Sequence, residues 1–145
     1  MLAAARDAAA ALASPPELLA VTVLTSMNQS QLNATGVDRS PRDQVALLAK
    51  MGWESGIRGF VCSPQEAAAL RALTGPEGIL VTPGIRPAGS DIGDQQRIAT
   101  PTLALQQGAS YLVVGRPITQ APDPALAAEA VLLEIAEALA IAPTE

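Results

Sequence analysis

Ile79-Leu80-Val81-Thr82-Pro83-Gly84-Ile85-Arg86-Pro87 holds a strand and its exit. The first residues are apolar and β-branched, the composition of a buried strand. Pro83-Gly84 breaks it, and an arginine follows at once. The residues around it repeat the scheme. Upstream, Ser63-Pro64-Gln65-Glu66 is a helix start, with Ser63 as N-cap, Pro64 in the first turn and Glu66 placed for a capping box. That helix is expected to run to Leu73 and to stop at Gly75-Pro76. Before it lies a short strand, Gly59-Phe60-Val61-Cys62. Downstream, residues 83–100 read as a long loop. Thr100-Pro101 opens a helix ending at Gly108, and Tyr111-Leu112-Val113-Val114 forms a further strand, ended by Gly115-Arg116-Pro117.

The rest of the chain extends the alternation. Residues 1–13 are alanine-rich and form a leading helix, stopped by Ser14-Pro15-Pro16. Residues 18–24 are a near-continuous apolar strand, which suits a strand covered on both faces. The polar residues 25–39 read as a loop that can hold one helical turn. Ser40-Pro41 starts a helix whose apolar face is expected at Val45, Leu47, Leu48 and Met51. After Asp123-Pro124 a last helix carries Leu126, Val131, Leu132, Ile135 and Leu139 at helical spacing. The expectation is an α/β domain over residues 1–145, with four parallel strand–helix units in 18–145. Four units make half of a (β/α)8 TIM-type barrel, and a small doubly wound sheet fits the same alternation.

Composition narrows the function. The chain has 145 residues and a net charge of −5, which disfavours nucleic acid and membrane-surface partners. It has no histidine and one cysteine, Cys62, which excludes an internal disulfide and a His- or Cys-rich metal site. No apolar run is long enough to span a bilayer. The start, Met1 to Asp7, lacks a signal-peptide pattern, so a cytoplasmic location is expected, and the sequons at Asn28 and Asn33 read as chance.

In parallel α/β folds, functional residues gather at the C-terminal ends of the strands. Arg86 and Arg116 follow the last two strands, where barrels often build a phosphate site. Glycine lets backbone amides approach an anion, and a guanidinium can clamp phosphate oxygens. The plainer reading is that both arginines are solvated or salt-bridged.

Particular segments resemble the orotidine 5'-phosphate decarboxylases. Val21-Thr22-Val23-Leu24-Thr25-Ser26-Met27 is similar to that family's fifth barrel strand, and Val61-Cys62-Ser63-Pro64-Gln65-Glu66-Ala67 to its sixth. Val81-Thr82-Pro83-Gly84-Ile85-Arg86-Pro87 resembles the seventh, Gly93-Asp94-Gln95-Gln96-Arg97 the phosphate loop, and Tyr111 onward through Thr119 the eighth. The resemblance covers nearly the whole chain, in order. It implies that Thr25 lies beside the pyrimidine ring of a nucleotide, with Ser26 a less certain neighbour. It places Arg86 near the phosphate, has Gln95 reach the phosphate and ring, and gives the phosphate the Gly115 amide and the Arg116 guanidinium.

The family acts without metal or organic cofactor, through an array of lysines and aspartates with an Asp-x-Lys-x-x-Asp signature. That signature is missing here, and the single lysine, Lys50, falls in a helix. The resemblance therefore implies the phosphate- and nucleotide-binding C-terminal half of a pyrimidine-biosynthesis lyase (orotidine 5'-phosphate to uridine monophosphate and carbon dioxide), inactive alone and with no catalytic residue to assign. The alternative is a non-catalytic half-barrel scaffold that self-assembles, with or without phosphate. Half a barrel would leave one apolar sheet face and both edges bare. A second copy, a complementing N-terminal half or a rearrangement of the C-terminal elements could cover them, and a homodimer is the favoured expectation.

Overall fold

The computed structural model describes residues 1–87 and 97–141. The elements run α1 (Leu2–Ala10), β1 (Leu19–Val21), α2 (Gln29–Ala34), α3 (Pro41–Glu54), β2 (Gly59–Val61), α4 (Pro64–Thr74), β3 (Ile79–Thr82), α5 (Pro101–Gln106), β4 (Tyr111–Leu112), α6 (Arg116–Thr119) and α7 (Pro124–Ile141). The strands form one four-stranded sheet in the order β1-β2-β3-β4, every pair parallel. Sequential order with parallel pairing is the expected half-barrel arrangement, since a doubly wound sheet reverses its strand order part-way.

The register sorts side chains by face. Ala20, Phe60 and Leu80 are aligned in one row, and Val21, Val61, Val81 and Tyr111 in the next. Successive strand residues point to opposite faces. Phe60 and Leu80 are fully buried, in one cluster with Val45 and Ala49 of α3 and Ala67 and Leu70 of α4. On the other face Val21 is 59% exposed and Tyr111 63%, while Val61 and Val81 are half-buried. The described helices thus cover one face and leave the edges of the other exposed.

Local chemistry explains the helix boundaries. The Ser40, Ser63 and Thr100 hydroxyls accept from backbone amides in the first turns of α3, α4 and α5, each followed by proline. The Asp123 carboxylate accepts from the Ala125 and Leu126 amides, starting α7. Gly52 lets α3 approach the sheet: a Cβ there would lie 2.6 Å from the Phe60 ring. At the N-terminal ends of the strands Arg71 ties the chain together, donating to the carbonyls of Gly75, Gly78 and Gly108 and to the Ser110 hydroxyl.

The helical turn anticipated in the polar stretch after β1 is α2, six residues long and started by a reciprocal capping box between Asn28 and Gln31. Several expectations need correction. The buried stripe of α3 is Val45, Ala49 and Gly52, whereas Leu47 and Met51 are exposed. Glu66 does not complete a capping box, because its carboxylate is taken by Arg97. The first and last strands are shorter than their apolar runs, and Arg116 opens the short helix α6. On α7 only Val131 of the expected stripe is buried, and Leu126, Leu132 and Leu139 stand exposed.

Candidate functional site

The C-terminal ends of the strands carry the polar residues. After β1 the chain makes a turn closed by a 3.0 Å bond from the Met27 amide to the Leu24 carbonyl, with Thr25 and Ser26 between them. Thr25 is buried there and Ser26 half-buried. After β2, Cys62 and Ser63 are fully buried. Burial pushes the Cys62 thiol up to about 12, and the Glu66 carboxylate adds to the rise. Cys62 is therefore a protonated core thiol and no nucleophile.

After β3, Gly84 adopts a φ of 81°. That left-handed conformation suits glycine and bends the chain toward Arg86. Arg86 is buried, its amide donates to the Ala99 carbonyl at 2.9 Å, and its Nη1 donates to the Ile85 carbonyl at 2.8 Å. Ile85 and Ala99 form an isolated parallel bridge. After β4, Gly115 and Arg116 are exposed, and nothing lies within 4 Å of a Cβ built at Gly115. A ligand could therefore approach that backbone closely.

The expected ligands are partly gathered. Arg86 and Arg116 follow the hydrogen-bonded neighbours β3 and β4, and Thr25 follows β1 at the opposite edge of the same rim. Gln95, with Gly93 and Asp94, lies outside the described residues.

Arg97, to which no strand end or motif role attaches in the sequence, is the second buried arginine of this rim. Its Nη1 meets the Glu66 Oε1 at 2.5 Å, and its Nη2 donates to the carbonyls of Val23 at 3.2 Å and Leu24 at 2.9 Å. Nothing local in the sequence signals this, because the partners lie 31, 74 and 73 residues away.

The rim offers hydroxyls, backbone amides and guanidinium groups, the donors an anion needs. Its one cysteine is held protonated, and the single lysine, Lys50, is exposed on α3, 3.9 Å from Glu54. Among the described residues no group of three or more His, Cys, Asp or Glu could hold a metal ion. Nor, among them, is any helix long and apolar enough to cross a membrane.

Residues 1–131 match the family model described as "Orotidine 5'-phosphate decarboxylase / HUMPS family". The chain is 54% identical over 135 residues to the orotidine 5'-phosphate decarboxylase of Moorella thermoacetica, covering 92% of this chain and 54% of that one. It is 55% identical over 135 residues to that of Nitrosococcus oceani, covering 93% and 58%. Among solved structures, the orotidine 5'-phosphate decarboxylase of Lactobacillus acidophilus superposes with a TM-score of 0.76 at 42% identity, over 93% of this chain and 58% of that one. The chain spans about half the length of the curated relatives it matches.

Proposed function

We propose, from the premise that this chain belongs to the orotidine 5'-phosphate decarboxylase / HUMPS family, that it is the phosphate- and nucleotide-binding half of such an enzyme. The observation that carries this reading is the pair of arginines, Arg86 and Arg116, at the exits of the adjacent strands β3 and β4. In a barrel these are the exits where phosphate sites recur. Arg116 with the Gly115 amide would take the phosphate oxygens, and Thr25 would lie beside the pyrimidine ring. Gln95 would bridge phosphate and ring. The ligand class is a pyrimidine nucleoside monophosphate, and the cellular setting would be cytoplasmic pyrimidine biosynthesis.

Binding of the remote phosphate stabilises a transition state only when reacting groups stand beside it. The lysine–aspartate array is missing from the sequence, and Lys50 is a solvated helix residue paired with Glu54. The chain alone is therefore read as a binder without decarboxylase turnover. The test is calorimetric titration of the purified chain with uridine monophosphate, beside an assay for loss of carbon dioxide from orotidine 5'-phosphate. Saturable binding without turnover supports the reading. Turnover by the chain alone, or no binding at millimolar nucleotide, overturns it.

A second reading, a self-assembling half-barrel scaffold, is favoured by the bare sheet face. Leu19 and Val21 on one edge strand, and Tyr111 and Val113 at the other, are 47% to 63% exposed. A second copy would pair β4 of each chain with β1 of the other and close eight strands, and a complementing N-terminal half would cover the same surface. The homodimer is favoured, because a twofold axis pairs both open edges at once.

A further inference from the structure

We propose that Arg97 is a positioning residue of the nucleotide site: it fixes the turn that carries Thr25 and is not a phosphate ligand. The inference rests on reading the strand-end rim as a nucleotide site. Arg97 is only 8% exposed. Its Nη2 grips the carbonyls of Val23 and Leu24, the two peptide units immediately before Thr25. The Leu24 carbonyl is also the acceptor that closes the Thr25-Ser26 turn, through the Met27 amide. One oxygen thus receives both the turn's own bond and the arginine's.

The other arm of the guanidinium sits on Glu66, in the first turn of α4 and therefore fixed to the exit of β2. Two residues beyond Arg97, Ala99 pairs with Ile85 and accepts from the Arg86 amide. A single side chain therefore links the Thr25 turn, the α4 start and the segment beside Arg86. The Glu66 carboxylate balances its charge inside the protein, which leaves phosphate neutralisation to Arg86 and Arg116. Among the described residues the Glu66 Oε2 and the Arg97 Nε have no hydrogen-bond partner, so the pair owes its geometry to the remaining bonds. Arg71 is the counterpart at the opposite end of the sheet, a guanidinium spent on carbonyls. Its end of a barrel serves stability, whereas the end held by Arg97 carries the ligands.

The test compares Arg97→Lys and Arg97→Met with the wild-type chain. Amide hydrogen exchange is measured at Thr25, Ser26 and Met27, and calorimetry uses uridine monophosphate and ribose 5-phosphate as probes. Lysine can pair with Glu66 but cannot hold the fork on both carbonyls. Exchange at Met27 should therefore rise about tenfold or more in both variants, the loss of one charge-assisted hydrogen bond, while Leu80 and Phe60 stay protected in Arg97→Lys. Affinity for uridine monophosphate should fall about tenfold in Arg97→Lys, with ribose 5-phosphate affinity within about twofold of wild type. A parallel fall for both ligands would make Arg97 a phosphate ligand and overturn the proposal. Unchanged exchange at Met27 would overturn it too, as would a uniform rise across the sheet in Arg97→Lys. If the wild-type chain binds neither probe, the binding reading fails, and the exchange pattern still decides whether Arg97 sets the turn.

Discussion

Phe60 and Val61 are neighbours in sequence and opposites in surroundings. Phe60 is wholly buried beneath α3 and α4, and Val61 lies on the face that none of the described helices covers. The row through Val61 ends at Val21 and Tyr111, both more than half exposed. Two apolar faces of one sheet therefore have different fates among the described residues, one a finished core and the other half-buried at its centre and exposed at its edges. Apolar composition marks a residue as fit for burial, and only the arrangement of neighbouring elements decides whether it is buried.

The contrast breaks most sharply at Phe60. Phe60→Ala should cost about 3–5 kcal/mol, the loss of a core aromatic and the cavity it leaves. Urea unfolding measures it, and a cost no larger than that of a surface change would mean the helix-covered face is not the core. Glu66→Ala comes next. It leaves Arg97 buried with its carbonyl partners alone, and should cost about 3 kcal/mol, the low end for a broken buried pair. Arg97→Met in the same background should recover part of that loss, because it removes the orphaned charge. A double-mutant cycle reads the coupling.

Cys62 supplies a smaller effect, confined to alkaline solution. Its folded thiol titrates near 12, against an ordinary value of 9.0. Between those values the unfolded chain has lost the proton and the folded chain keeps it. Stability therefore falls as pH rises from about 9 toward about 12, with no contribution below that window. Cys62→Ala should flatten this part of the pH profile. The thiol should also resist alkylation at pH 8 until the chain unfolds. The smallest effect belongs to the open face. Val21→Thr should change the stability of an isolated chain by no more than about 0.5 kcal/mol, yet weaken any assembly formed through that face. A large loss in the isolated chain would show that Val21 is already covered.

The sequence made the architecture legible through punctuation. The pairs Ser40-Pro41, Ser63-Pro64 and Thr100-Pro101 each start a helix where expected, and β3 has the expected bounds. Which apolar residues face inward was less legible. On α3 the buried positions include Ala49 and Gly52, small residues invisible to a search for large apolar side chains, and Gly52 is what lets the helix approach Phe60. On α7 apolar residues are so frequent that several stripes fit, and neighbours select the buried one. At the rim, Thr25, Arg86 and Arg116 could be singled out because they follow strands or match a family motif. Arg97 could not be given a role, because its partners come from β1 and α4, and only folding brings them together.

The bare face is most directly tested by light scattering of the purified chain, with and without uridine monophosphate. The expected result is a discrete species of twice the 14.8 kDa chain mass, weakened by Val21→Asp and Tyr111→Asp. A monodisperse monomer at all concentrations, with or without nucleotide, would contradict it and mean that the exposed row from Val21 to Tyr111 is not an interface between copies.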